Sequence, residues 1–89
     1  MSDIDARLAQ LRTRFRQRCR DDLAIMEADD RPAEELQRIA HRVAGMAGTL
    51  GMLELGKAAI TLDQVINAGL SCLDAKHAFV CALRDEVGG

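Results

Sequence analysis

The 89-residue sequence predicts an all-α fold, an antiparallel up-down four-helix bundle, and three observations carry that prediction. Apolar residues recur at three- and four-residue spacing through four separate stretches, the period of a helix with one buried stripe. Alanine and leucine supply more than half of the apolar residues, while Tyr and Trp are absent and Phe occurs twice, a mix that favours helix over strand. Pro32, Gly51 and Gly69 divide the stretches and leave only short connections, which set successive helices antiparallel.

The first helix is expected from about Asp3 to Ala28. Ser2 is its N-cap, and Asp3 and Asp5 lie in the first turn, where the helix dipole favours negative charge. Ile4, Leu8, Leu11, Phe15, Cys19, Leu23 and Met26 form its stripe. The stretch Asp29-Asp30-Arg31-Pro32 breaks the pattern, because proline disfavours helical geometry in the residue before it yet fits the first turn of a new helix. A second helix therefore starts near Pro32, turns Leu36, Ile39, Val43, Met46, Ala47 and Leu50 inward, and stops at Gly51. The third carries Leu55, Ala58, Ala59, Leu62, Val65 and Ile66 on its core face and ends at Gly69. Ser71 and Asp74 read as a capping box for a fourth helix, lined by Leu73, Val80, Leu83 and Val87 and closing before Gly88. No internal repeat or low-complexity linker divides the chain, so residues 1–89 read as a single domain.

Composition excludes several functions. The chain is 48% apolar and 29% charged, and no apolar run approaches the roughly 18 residues that would span a bilayer, so no membrane partner is expected. Its net charge of −2 does not drive it onto nucleic acid. Arg12, Arg14, Arg16, Arg18 and Arg20 alternate through the first helix, but they flank both sides of its stripe, no aromatic residues are interleaved, and acidic residues including Asp21 and Asp22 follow at once. Three cysteines, Cys19, Cys72 and Cys81, lack C-x-x-C spacing and fit neither a disulfide framework nor a zinc site. His77 reads as a half-buried structural histidine. Its single Asp74-x-x-His77 spacing does not make a metal site, and neither a metal nor any other cofactor is expected. Met46 and Met52 read as core or gap filler, with Met52 placed to join a docking surface. The acidic start Met1-Ser2-Asp3-Ile4-Asp5 lacks the basic-then-apolar layout of a secretory signal, and a cytoplasmic location is the expectation.

The second helix holds the chemistry. At 100° per residue, Leu36, Ile39, Val43, Met46 and Leu50 fall opposite His41, so the imidazole should face solvent. On its own side lie Glu34, Gln37, Arg38, Ala44, Gly45 and Gly48. Each mid-helix glycine costs roughly 1 kcal/mol against alanine, and Gly45 and Gly48 stand away from the apolar stripe, which favours clearance around the histidine over close packing of two backbones. A neutral imidazole on a rigid helix suits nucleophilic phosphoryl transfer, which asks of a protein mainly positioning and positive charge. Arg38, one turn before His41 and about 60° round the wheel, has a better aim than Arg42 at about 100°. Solvation alone is the other reading of both arginines.

The segment His41-Arg42-Val43-Ala44-Gly45-Met46-Ala47-Gly48-Thr49-Leu50-Gly51 resembles the signature of histidine-containing phosphotransfer (HPt) domains, a histidine followed by two residues, usually lysine, then glycine, with a further glycine downstream. Chain size, helix count and the motif's place in the second helix are similar too. The resemblance implies an up-down bundle whose histidine takes a phosphoryl group and passes it to or from a response-regulator receiver aspartate, with a histidine kinase as the other partner and no ATP-dependent kinase activity of its own. It implies an acidic or amide residue on the third helix that orients the imidazole, and equal spacing places this at Asp63, with Gln64 beside it; a solvated helix charge is the other reading of Asp63. The position usually occupied by lysine is Ala44, so Arg38, Arg42, Lys57 or the receiver's own cations must supply the positive charge. A monomeric phosphocarrier is thus the expected function. The alternative is a helical adaptor that binds a kinase or receiver without being phosphorylated, for which Ala44 is the motive.

Overall fold

A computed structural model describes residues 3–28 and 30–88. Ser2, the expected cap of the first helix, lies outside the described residues, as do Asp29 and Gly89. The described residues form α1 (Asp3–Glu27), α2 (Ala33–Thr49), α3 (Leu53–Asn67) and α4 (Leu73–Gly88), with no strand among them. The helices run up and down in sequence order, with α2 packed most closely on α3, α4 on both α3 and α1, and α1 only lightly on α2. This is the predicted antiparallel four-helix bundle.

The glycine stops are where the sequence puts them. Gly51 and Gly69 have φ of 76° and 72°, the left-handed region in which a side chain is strained. Each ends its helix in the same double hydrogen bond. The Met52 N–H donates to the Ala47 carbonyl at 2.9 Å and the Gly51 N–H to Gly48 at 3.4 Å; Leu70 and Gly69 repeat the pattern onto Val65 and Ile66 at 3.1 and 3.0 Å. Arg12 adds a tie from α1, its Nε donating to the Leu50 carbonyl at 3.1 Å, where the dipole of α2 favours a cation. The capping box differs from expectation: α4 starts at Leu73, so Cys72, not Ser71, holds the cap position, and its carbonyl accepts from the Lys76 N–H at 2.7 Å. Gly88, expected outside α4, is still helical.

The core is made by Phe15, Cys19 and Met26 of α1, Leu36, Ile39, Val43 and Ala47 of α2, Leu55, Ala59 and Leu62 of α3, and Phe79, Val80 and Leu83 of α4. Four sequence readings fail at its edges, the first being Met46, which was expected to turn inward on α2 and is 38% exposed. Ile4 is 70% exposed, because α1 has 25 residues against 17 in α2 and its first turn runs past the bundle end, and Leu11 is exposed although Leu8 before it packs against the core. Leu73 is 74% exposed, whereas Phe79, left out of the expected stripe of α4, is fully buried. Met52 is buried and offers nothing to a docking surface. Gly56 packs against α2, where a Cβ would lie 3.7 Å from the Ala47 Cβ, so α2 and α3 come close just below the turn that joins them.

Candidate functional site

His41 stands in the middle of α2 with its side chain 81% exposed. Its ring is held from one side only. Nδ1 lies 3.1 Å from Oδ2 of Asp63 on α3, and Oδ1 of the same carboxylate accepts the Gln37 amide at 3.0 Å. Gln37 and His41 are one turn apart on α2, so a single carboxylate from α3 bridges two successive turns. These two hydrogen bonds hold the Asp63 carboxyl below its ordinary value, that from His41 contributing most. An ionised carboxylate can only accept, so the ring nitrogen facing it is the one that carries hydrogen. Nε2, across the ring, has no hydrogen-bond partner among the described residues.

Beyond the ring, toward the end of α2, the surface is bare. Gly45 and Gly48 are exposed, and a Cβ placed on either would meet nothing within 4 Å. Neither glycine serves close helix packing. The Gly45 carbonyl accepts from the Thr49 hydroxyl at 3.1 Å, which seals the helix backbone beside the clearing.

The cations divide in a way the wheel did not resolve. Arg38 is exposed and lines a shallow cleft of about 190 Å³ between α1 and α2, together with Arg18, Asp22 and Arg42. Arg42 turns to α1 instead of His41, its Nη2 donating to Oδ1 of Asp22 at 2.6 Å. Asp22 is 3% exposed, and its Oδ2 has no hydrogen-bond partner among the described residues, so the guanidinium of Arg42 answers a buried charge and is not free to swing. Lys57 pairs with Glu54 on its own helix at 3.7 Å, about 120° round α3 from Asp63. The structure thus brings Asp63, Gly45 and Gly48 to His41, leaves Arg38 on the opposite flank of α2, and commits Arg42 and Lys57 elsewhere.

Two residues escaped the sequence reading. Gln37 was placed on the face of His41 but given no role, although its four-residue spacing from the histidine signals a shared partner. Asp22 was read only as one of the acidic residues that follow the arginines of α1, yet it lies three residues after Cys19 and four before Met26, the spacing of the buried stripe itself. Its charge also bears on Cys19, where burial pushes the thiol up to about 11 and Asp22 adds to the rise. His77 differs from expectation as well: it is exposed, and its Nε2 stands 3.7 Å from the Cys81 sulfur, because the core face of α4 passes through Phe79. All three cysteines are free. No helix among the described residues is long and apolar enough to cross a membrane.

A family model described as the Hpt domain matches residues 10–88. No curated protein and no solved structure gives a significant match.

Proposed function

The chain belongs to the Hpt domain family, whose members act in phosphotransfer in two-component signalling, and from that premise we propose that residues 1–89 work as one phosphorelay domain with His41 as the phosphoryl acceptor and donor. The observation that carries this reading is the contact of His41 Nδ1 with Asp63 on an otherwise uncovered ring. With hydrogen on Nδ1, the lone pair of Nε2 attacks the phosphorus of a receiver's aspartyl phosphate. The Nε2–P bond forms as the P–O bond breaks, and the aspartate leaves with the electron pair as a carboxylate. The ring becomes cationic without losing a proton, and the negative charge of Asp63 beside Nδ1 stabilises it. Passing the group to a second receiver aspartate reverses these steps.

Gly45 and Gly48 leave room for a partner's active centre to approach along α2. Arg38, exposed and about 60° round α2 from His41, is the cation this reading assigns to the phosphoryl oxygens, while Arg42 stays paired with Asp22. In this reading the domain is a monomeric cytoplasmic carrier with a histidine kinase upstream and a response-regulator receiver as its exchange partner. Family members being carriers, no ATP-dependent activity is assigned to it.

The test is phosphoryl exchange with a phosphorylated receiver. The wild-type chain should acquire acid-labile, base-stable phosphate and His41→Gln should acquire none. Label that persists in His41→Gln moves the acceptor elsewhere. Receiver binding that survives in His41→Ala, with no phosphohistidine in the wild type, assigns the chain to the adaptor class instead.

A further inference from the structure

The grip on Asp63 is two-sided, and only one side belongs to the histidine. A carboxylate turns about its Cβ–Cγ bond and offers either oxygen, so a single hydrogen bond to an exposed ring fixes neither its plane nor the ring's tautomer. Here the Gln37 amide occupies Oδ1 at 3.0 Å, which leaves Oδ2 aimed at Nδ1 of His41 at 3.1 Å. Gln37 is half-buried, as is Asp63, whereas His41 is exposed, so the better-ordered hydrogen bond is the one between Gln37 and Asp63. Among the described residues no other side chain bonds this carboxylate, and Ala44, on the same flank of α2, has no donor to offer.

We propose that Gln37 is a positioning residue for phosphoryl transfer, which acts through Asp63 to hold His41 in the tautomer with hydrogen on Nδ1 and a free lone pair on Nε2. The inference rests on the reading of His41 as phosphoryl acceptor. The amide never touches the phosphoryl group. Its effect runs through the orientation of one carboxylate, in the way that outer hydrogen bonds orient catalytic imidazoles generally.

Nitrogen NMR of the full chain reads the tautomer of His41 across pH without any partner protein. Gln37→Leu should shift the tautomer ratio toward hydrogen on Nε2 by about five-fold, the factor carried by one hydrogen bond of ordinary net strength. Labelling by phosphoramidate should slow in the same direction. In that reaction the Nε2–P bond forms as the donor's P–N bond breaks and ammonia leaves with the electron pair. Asp63→Ala should give the larger effect, and adding Gln37→Leu to it should change nothing further, since both act through the same carboxylate. Gln37→Met, closer in length, serves if the leucine variant folds poorly. A wild-type tautomer ratio in either folded variant overturns the proposal, as do losses that add in the double variant. Failure of the acceptor reading looks different: the ratio then responds to Gln37→Leu while wild-type His41 takes no phosphoryl group from any donor.

Discussion

Arg42 Nη2 meets Asp22 Oδ1 at 2.6 Å, across the most lightly packed pair of neighbouring helices among the described residues. The carboxylate is sealed from solvent while the guanidinium keeps about a third of its surface exposed. A buried ion pair of this kind is weak evidence of net stability, because desolvation offsets much of the attraction, but breaking one partner leaves an uncompensated charge. The pair also ties α1 to α2 at the cleft that Arg38 lines.

Arg42→Ala should therefore destabilise the fold by about 3 kcal/mol, the usual cost of orphaning a buried charge. Asp22→Asn should cost less, since a neutral amide needs no counter-charge, and Asp22→Leu with Arg42→Met should come within about 1 kcal/mol of wild type. Urea unfolding midpoints of the variants decide it. Equal losses in Arg42→Ala and the paired apolar variant would mean that the pair itself, and not the unpaired charge, holds the helices.

The depressed carboxyl of Asp63 links the site to acid stability. Its folded value lies below the ordinary 3.8 because His41 and Gln37 both donate to it. The native state thus binds this proton more weakly than the unfolded chain, and the stabilisation is present in full above about pH 4 and disappears as pH falls through the folded value. Asp63→Asn removes the linkage. The stability gap between wild type and Asp63→Asn should accordingly shrink as pH falls below 4, as measured by urea midpoints at each pH. Parallel curves down to pH 2 would show that the carboxyl titrates at its ordinary value.

The sequence made the fold legible because helix signals are local. Stripe spacing, Pro32 and the two positive-φ glycines each act within a turn or two, so all of the helix ends fall within a residue or so of their expected places. Legibility fell where the outcome depends on what packs opposite. Ile4 continues the stripe of α1, but periodicity does not reveal that α2 is too short to cover it. Asp22 and Leu23 both fit that stripe, and only the presence of Arg42 across the interface makes the charged residue the buried one. The exposure of His41 followed from the wheel. The reach of Arg42 did not, because a long side chain on the margin of a helix can turn toward either neighbour.

Arg38 and Ala44 lie about 60° to either side of His41 on α2. If the phosphoryl group needs one mobile cation from this chain, a lysine on the flank of Asp63 should replace the arginine on the other. Arg38→Gln is expected to slow exchange with a receiver by about ten-fold, a modest share of the 10²–10³ typical of a dedicated transition-state donor, because the partner also carries positive charge. Ala44→Lys in the same chain should restore most of the rate. Single-turnover exchange kinetics measure both. An unchanged rate in Arg38→Gln would place all of the neutralising charge on the partner.

Three glycines of one helix end make a contrast of sign. Gly45 and Gly48 are helical, and a Cβ on either enters open space, so alanine at each should stabilise the fold by about 0.5–1 kcal/mol through the reduced freedom of the unfolded chain. Gly51 also faces open space, but its φ of 76° strains any side chain, and Gly51→Ala should destabilise by about 1 kcal/mol. Thermal melts of the three single variants test this directly. Function should follow a different order. Gly45, one turn from His41, lies closest to the path of an incoming receiver, so Gly45→Ala gains stability with little loss of exchange, whereas Gly45→Lys keeps its helicity and slows exchange by crowding the imidazole. Normal exchange in a folded Gly45→Lys would show that the partner approaches from another direction, and the glycine would then be no more than a weak point in α2.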